Sequence, residues 1–570
     1  MIHSILASHQ DAMNCIYRMK RVISLLVFSL LIFTACKVDE PVSKNPATRT
    51  LRISGVQLNS YVWVDNSTLY NISLAAKPVV KIIFSDSINV AKFSPAKVSF
   101  SGEIGQNFTE AKGEDNKTLV LTTTVLPKGL TEYTITIDSG INLGGRVLDR
   151  FTSKFVTAID TTPKFPNISD DSLLTLVQRK AFDYFWSYGH PVSGLARERL
   201  NSNDIVTLGG SGFGIMTIPV AIERGFITRA QGLERMNKIV NFLSLSTTDK
   251  FHGAFPHWMN GATGKVIPFS TQDDGADLVE TAFFMQGLLT VQSYFKNGNA
   301  DEKAMCATIE TLWENVEWTW FQQGGQQKLF WHWSPNYGWA MNMPISGWDE
   351  ALIVYVLAAS SPTYPIAKPV YDNGWALNGG MKNGKSFYGI TLPLGEDRGG
   401  PLFFAHYSFL GLNPTHLSDA YANYWTQNTA HAKINYNYCV ANPKQYYGYS
   451  ANCWGLTASD IQNGYTASSP NNDVGVIAPT AALSSFPYTP IESMRALHFF
   501  YYTLGDKLWG NYGFKDAFNL STRWFADSYL AIDQGPIVVM IENYRTALLW
   551  NLFMQNQQVQ AGLTKLGFTY

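Results

Sequence analysis

The 570-residue chain carries 43 basic and 44 acidic residues, and only 15% of its residues are charged, against about 25% in typical soluble domains. It is too long for one ordinary domain and long enough to bury a large core. No basic stripe marks a nucleic-acid partner; instead 16 Trp, 28 Tyr and 34 Phe supply either a large core or rings able to stack on sugars.

Residues 1–36 read as a processing signal. From Met19, the run MKRVISLLVFSLLIFTAC places Lys20 and Arg21 before an apolar stretch from Val22 to Phe33. That stretch is too short to span a bilayer and suits a signal h-region. The residues ahead of Met19 read as an upstream extension. Phe33-Thr34-Ala35-Cys36 resembles a bacterial lipobox, with Cys36 the residue to be acylated, although Phe33 stands where Leu is usual. Residues 37–47 form a polar, Pro-containing tether. Its acidic residues resemble the surface-export signal of Bacteroidetes lipoproteins. The expectation is an exported outer-membrane lipoprotein, on the periplasmic or cell-surface face, that meets the membrane through its lipid alone.

From 48 to 158 the pattern alternates with period two. PVVKIIFSD, KTLVLTTTV, TEYTITIDSG and FTSKFVTAI are β-branched runs between Asn, Asp, Gly and Pro clusters, spaced as in a β-sandwich. This stretch resembles the immunoglobulin-like modules of bacterial surface enzymes, and a spacer or docking role is expected of it. Residues 159–170, with two prolines, form a linker. After Ser169 the apolar positions recur at helical spacing, in LLTLVQRKAFDYFWSYG, AQGLERMNKIVNFLSL, WDEALIVYVLAASS and IVVMIENYRTALLWNLFMQ among others. Paired helices over 171–570 without a fixed repeat length fit an (α/α)6 barrel, so the fold class is mainly α behind a small β-sandwich. A monomer is expected.

The cysteines add little. Cys306 reads as a buried apolar residue. Cys439 and Cys453, in aromatic loop-like sequence of an exported chain, are candidates for a disulfide. No pair has zinc-ligand spacing, and neither metal nor cofactor is expected.

The chemistry concentrates in loops. STQDDGADLVET gathers Asp273, Asp274, Asp277 and Glu280 ahead of an apolar run. On a helix, Asp273 and Asp277 at i and i+4, and Asp277 and Glu280 at i and i+3, would share a face, about 5–6 Å apart. Crowded acids in an apolar setting split their pKa values, which suits the acid and base of glycoside hydrolysis. The same residues also read as a capping box, with Asp277 as N-cap and Glu280 reaching back; both roles can coexist. Asp274 is expected to point to solvent. Glu350, on another loop, could stand far enough away to leave room for the water of an inverting reaction. Sugar-binding candidates are Arg197, Glu198 and Arg199, for which a structural ion-pair network reads equally well, together with His257, Trp258, His332, Trp339 and Trp454. His252, His257 and His332 read as hydrogen-bonding groups rather than metal ligands. Trp339 and Trp454 are read as stacking platforms because their neighbours are loop residues. GGSGFG lacks the strand and lysine of a phosphate loop. Glu542, inside an apolar helix, is expected to pair with Arg545.

GLARER, GGSGFG, DDGADLVETAF, WHWSPNYGW, NCWGLTASD, VIAPTAALSSFPYTP, DAFNL and AIDQGPIVVMIENYRT together resemble the glucoamylase-like domain, glycoside hydrolase family 144, from about Leu173 to Phe568. The resemblance implies an (α/α)6 fold, hydrolysis of β-1,2-glucosidic bonds and no required cofactor. It places the family's acids on Asp273, Asp277 and Glu280, with Glu350 a further carboxylate. Endo-acting glucanases and sophorose-releasing exo enzymes both occur in the family, and these motifs do not separate them. Glu280 and Asp277 are the favoured acid and water-positioning groups, with Asp273 and Glu350 supporting or sharing the base role. The rival readings are a non-catalytic glycan-binding lipoprotein and a lyase or phosphorylase on the same toroid.

Overall fold

The computed structural model describes residues 49–570; the expected leader, its Cys36 and the tether lie outside them. Between Thr50 and Thr157 the alternating pattern becomes two sheets. One has the order Tyr61–Val62, Ile53–Leu58, Val79–Phe84, Thr118–Thr123, Phe108–Lys112, antiparallel throughout. The other runs Thr68–Ile72, Phe151–Thr157, Glu132–Ile137, Val98–Phe100 and is parallel only at its first pair. Val80, Ile82, Leu119 and Leu121 of the first sheet share a core with Tyr133, Ile135, Ile137 and Phe155 of the second. Alternation thus puts one apolar face of each sheet against the other, as in a sandwich.

Helices follow: α1 (Asp170–Ser187), α2 (Leu208–Glu223), α3 (Arg229–Ser244), α4 (Leu278–Phe295), α5 (Ala300–Glu314) and α6 (Leu352–Ser360), with Tyr424–Ala441, Ala531–Thr546 and Gln557–Leu566 the longest of the later ones. They are of two kinds. α2, α4, α6 and Ala531–Thr546 are buried on nearly every side. α3, α5 and Gln557–Leu566 bury one face only. The first kind forms an inner row in which α2 lies between α4 and Ala531–Thr546 while α4 also meets α6. The second packs outside it, α3 on α5 and Gln557–Leu566 on α6. A helix apolar all round must be enclosed and an amphipathic one must face water, so the sequence pattern sorts the layers.

GGSGFG belongs to the first turns of α2 rather than to a loop, and a strand, Ile205–Thr207, does precede it, contrary to the sequence expectation; the lysine of a phosphate loop is still missing. The motif's glycines let inner helices approach: a Cβ on Gly287 of α4 would lie 2.3 Å from the Gly212 carbonyl oxygen, and one on Gly210 2.7 Å from the Ala531 Cβ. Two other expectations are corrected. Cys439 lies within Tyr424–Ala441, and both it and Cys453 are buried free thiols rather than a disulfide. Glu542 pairs with Arg224 at the end of α2 through two contacts of 2.8 Å. Arg545 turns the other way, to Gln178 and Asp171 of α1.

Candidate active site

The acid run does not form the helical face expected of it. α4 begins at Leu278, so Asp273 lies in the preceding loop and Asp277 in a two-residue strand, Ala276–Asp277, paired antiparallel with His332–Trp333. Asp277 is the N-cap: its Oδ1 accepts from the Glu280 amide at 2.9 Å. Only half of the predicted capping box exists, because the Asp277 amide donates to the Phe255 carbonyl instead. The Glu280 side chain leaves its own helix. Its Oε2 accepts from the Gly209 amide at 2.6 Å and from the Thr207 hydroxyl at 3.2 Å. Those groups are the first-turn amide and the N-cap of α2, so Glu280 caps a neighbouring helix at its positive end.

The second oxygen of Asp277 gathers two histidines. His257 Nδ1 lies 3.0 Å and His332 Nε2 3.5 Å from Oδ2, and His332 Nε2 also lies 3.2 Å from Asp273 Oδ2. Burial alone would raise Asp277; the bonds from His257 and His332 instead hold it well below the usual carboxylate range. Burial opposes a charged imidazole, but the charge of Glu280 and the bond to Asp277 hold His257 up at about 10. The bonds to Asp273 and Asp277 hold His332 at about 9 against the same opposition. Burial raises Glu280 and the charge of Asp277 adds to it, while His257 and the Gly209 amide pull the other way. The result is a largely buried block of paired charges in which two atoms, Asp273 Oδ1 and His332 Nδ1, are buried and have no hydrogen-bond partner among the described residues; of the two, only the Asp273 oxygen belongs to a carboxylate. His257, Asp273 and Asp277 could offer a cation three atoms within 4.8 Å of one another, yet His257 and Asp277 are already joined as an ion pair.

Glu350 comes to the same place from the start of α6. Its carbonyl is fixed by the Ser408 hydroxyl. Burial, and then the charges of Glu280 and Asp277, push its carboxyl up to about 7. A carboxyl there still carries its proton in mildly acidic solution.

Asp274 is corrected from solvent to structure: it is 8% exposed and accepts from the Ser334 hydroxyl and from Asn336 Nδ2. Arg197 spans carbonyl groups of Tyr188 and Asn203 and covers the Tyr188 ring, which is a structural role. Arg199 joins Glu198 and Asp460 through contacts of 2.8 and 2.9 Å, so the ion-pair network is present, while 36% of the Arg199 side chain stays exposed. Trp454 is no platform: it is fully buried, with its indole N–H on the Glu492 carbonyl. Trp339 packs its edges on Phe321 and Phe330 and is partly buried. Trp258 keeps some surface beside His257. His252 stands apart, on Glu317 and against Trp320.

A second carboxyl group cluster escaped the sequence reading. Asp460, Asp516 and Asp533 meet around Arg199, and the Asp460 amide donates to Asp516 at 2.7 Å. Burial and the charge of Asp460 push Asp516 up to about 7; burial and the charge of Asp516 raise Asp533 well above the usual carboxylate range. Asp516 Oδ1 and Asp533 Oδ2 have no donor among the described residues, and a proton shared between the two acids satisfies both. Tyr407 links the clusters, feeling the charges of Asp533, Glu350 and Glu280. The three acids are scattered singly over some seventy positions, so no local density marks them; Asp533, inside an otherwise apolar helix start, was the one local hint.

The family model "Glycoamylase: Putative glucoamylase" matches residues 342–557. An endo-β-1,2-glucanase structure from Chitinophaga pinensis is 53% identical, with a TM-score of 0.69, over 71% of this chain and 99% of its own. A β-1,2-glucanase structure from Parabacteroides distasonis is 37% identical, with a TM-score of 0.68, over 92% of this chain and 74% of its own. The exo β-1,2-glucooligosaccharide sophorohydrolase (non-reducing end) of P. distasonis is 47% identical over 421 residues, 70% of this chain. The chain spans 58% of the length of that curated relative. On the identity shared across nearly the whole of the C. pinensis chain, this chain belongs to the glucoamylase-like family, glycoside hydrolase family 144.

Proposed function

We propose that the chain is a glycoside hydrolase that cleaves β-1,2-glucan without a cofactor. The observation that carries this is the opposed state of two neighbouring buried acids. Glu350 is pushed up to about 7 while Asp277 is held well below the ordinary range. Pairs of acids driven apart in this way divide into proton donor and ionised partner. The geometry favours a different division of labour from the one the sequence suggests. Asp277 has both oxygens engaged, so it anchors the histidines rather than a water. Glu280 is committed by one oxygen to α2. Glu350 therefore acts as general acid, protonating the glycosidic oxygen as the bond breaks, and Asp273 uses its free Oδ1 to orient and deprotonate the attacking water. That scheme inverts the anomeric centre.

The inner and outer rows of helices support closure into an (α/α)6 barrel, with helix N-termini at the substrate end. The sheet pair before it is read as an immunoglobulin-like spacer, and Cys36 as the lipid anchor of a monomeric exported enzyme. The test is incubation with linear β-1,2-glucan, following reducing ends, product length and, by NMR, the first-formed anomer. No products at high enzyme concentration would sink the substrate; retained configuration would sink the water-attack scheme. Early long products indicate endo attack, and sophorose alone indicates exo attack.

A further inference from the structure

We propose that Phe269 and Tyr337 are stacking platforms for glucosyl units flanking the acid cluster, and that Asp274 is a positioning residue for Tyr337. The inference rests on the β-1,2-glucan reading above. Both rings are about half exposed, at 50% and 48%, in a protein that buries most of its large aromatic residues. Phe269 lies on the His257 imidazole with ring centroids 4.2 Å apart and 28° between planes, and meets Trp258 edge-on at 4.8 Å. Its amide donates to the Asp273 carbonyl at 2.9 Å. One face of this ring is therefore supported by a residue that touches Asp277, and the ring stands beside the carboxylates.

Tyr337 is held by the next residue of the same segment. It sits in a turn closed by reciprocal Ser334–Gly338 backbone bonds of 2.9 and 2.8 Å. The Ser334 hydroxyl accepts the amides of Asn336 and Tyr337 at 3.0 and 2.9 Å and donates to Asp274. Asn336 Nδ2 donates to the other Asp274 oxygen at 2.6 Å. The turn is brought there by the strand pair Ala276–Asp277 with His332–Trp333, and by Gly275, where a Cβ would lie 2.3 Å from the Trp333 carbonyl oxygen. Burying a carboxylate is costly, and this one serves only to fix a surface turn whose exposed product is an aromatic ring. Sugars offer C–H faces to such rings, and a ring already fixed loses little entropy on binding. Asp273 and Asp274 thus hold one platform each, the first by its carbonyl and the second by its side chain.

The experiment compares kcat and KM on β-1,2-linked glucose oligomers of defined length. Phe269→Ala and Tyr337→Ala are each expected to lower kcat/KM about 3- to 10-fold on long chains, mainly through KM. The loss shrinks as the oligomer shortens. Phe269→Tyr and Tyr337→Phe, which keep the rings, restore wild-type length dependence. Asp274→Ala reproduces the Tyr337→Ala defect and adds nothing to it in the double variant. Unchanged length dependence in both alanine variants overturns the platforms, and an additive Asp274→Ala defect overturns the positioning role. A wild-type chain inert on every oligomer removes the substrate reading itself, and this inference with it.

Discussion

His257 Nδ1 stands 3.0 Å from Asp277 Oδ2, and that carboxylate has no exposed surface. The pair stabilises the fold while the imidazole is charged. His257 is raised from 6.5 to about 10, so its contribution is fully present below pH 6.5 and is lost as pH rises toward 10. Thermal unfolding between pH 7 and 10 should show this decline. Asp277→Asn keeps a competent N-cap but leaves His257 and His332 short of a partner. It should cost about 3–5 kcal/mol at neutral pH, flatten the alkaline decline, and bring an imidazole titration down toward neutrality by NMR.

Glu350 carries the opposite lesson, that the group needed for chemistry is a burden on stability. Its carboxyl is raised from 4.5 to about 7. The penalty is absent below pH 4.5, grows as pH rises to 7 and is constant above. Glu350→Gln should therefore be inactive, with kcat down at least about 100-fold. It should also be about 3 kcal/mol more stable than the parent at pH 8, by the size of that shift, and no more stable at pH 4. Parental activity should fall as pH rises through about 7.

Gly209 tests the link between α2 and Glu280. A Cβ there would lie 2.7 Å from Glu280 Oε2, too close for the carboxylate that the Gly209 amide holds. Gly209→Ala is expected to displace Glu280 and lower kcat about 10-fold or more, by the sensitivity of catalysis to small misplacements. Alanine favours the helix itself, so a loss of activity points to the displaced carboxylate rather than to poor helix propensity.

Arg199 is the cation of a site that also holds Glu198, Asp460, Asp516 and Asp533. Arg199→Ala removes the charge that compensates Glu198 and Asp460; because about a third of the Arg199 side chain meets solvent, the loss is screened and should be about 1–2 kcal/mol in denaturant unfolding at pH 8. Lowering the pH to 4 should recover part of the loss, because the acids then take up protons. Arg199→Lys should recover less than its charge suggests, since one ammonium cannot reproduce the fork between Glu198 and Asp460.

Periodicity was enough to separate the sheet-forming region from the helical one, and to tell enclosed helices from amphipathic ones, because burial acts on every residue of an element and leaves a repeating trace. The acid run was legible for a related reason: several carboxylates in one short stretch are a local signal. Trp454 shows where local context misleads. Loop residues surround it in sequence, yet it is fully buried. Glu542 shows the same on a helix: the nearby Arg545 faces α1, and the true partner Arg224 lies more than three hundred residues away.

The sequence by itself determined the β and α regions, the family resemblance and the presence of Asp273, Asp277 and Glu280 at the mouth of α4. Only the tertiary structure decided what each acid does. It sent Glu280 to cap α2, turned Asp274 onto the Ser334 turn, tied Asp277 to two histidines and brought Glu350 and the Asp516–Asp533 pair alongside. The physical reason is that a carboxylate's role follows from its burial and from the charges within a few ångströms. Those neighbours are assembled by helix packing, across separations in sequence that no local pattern records.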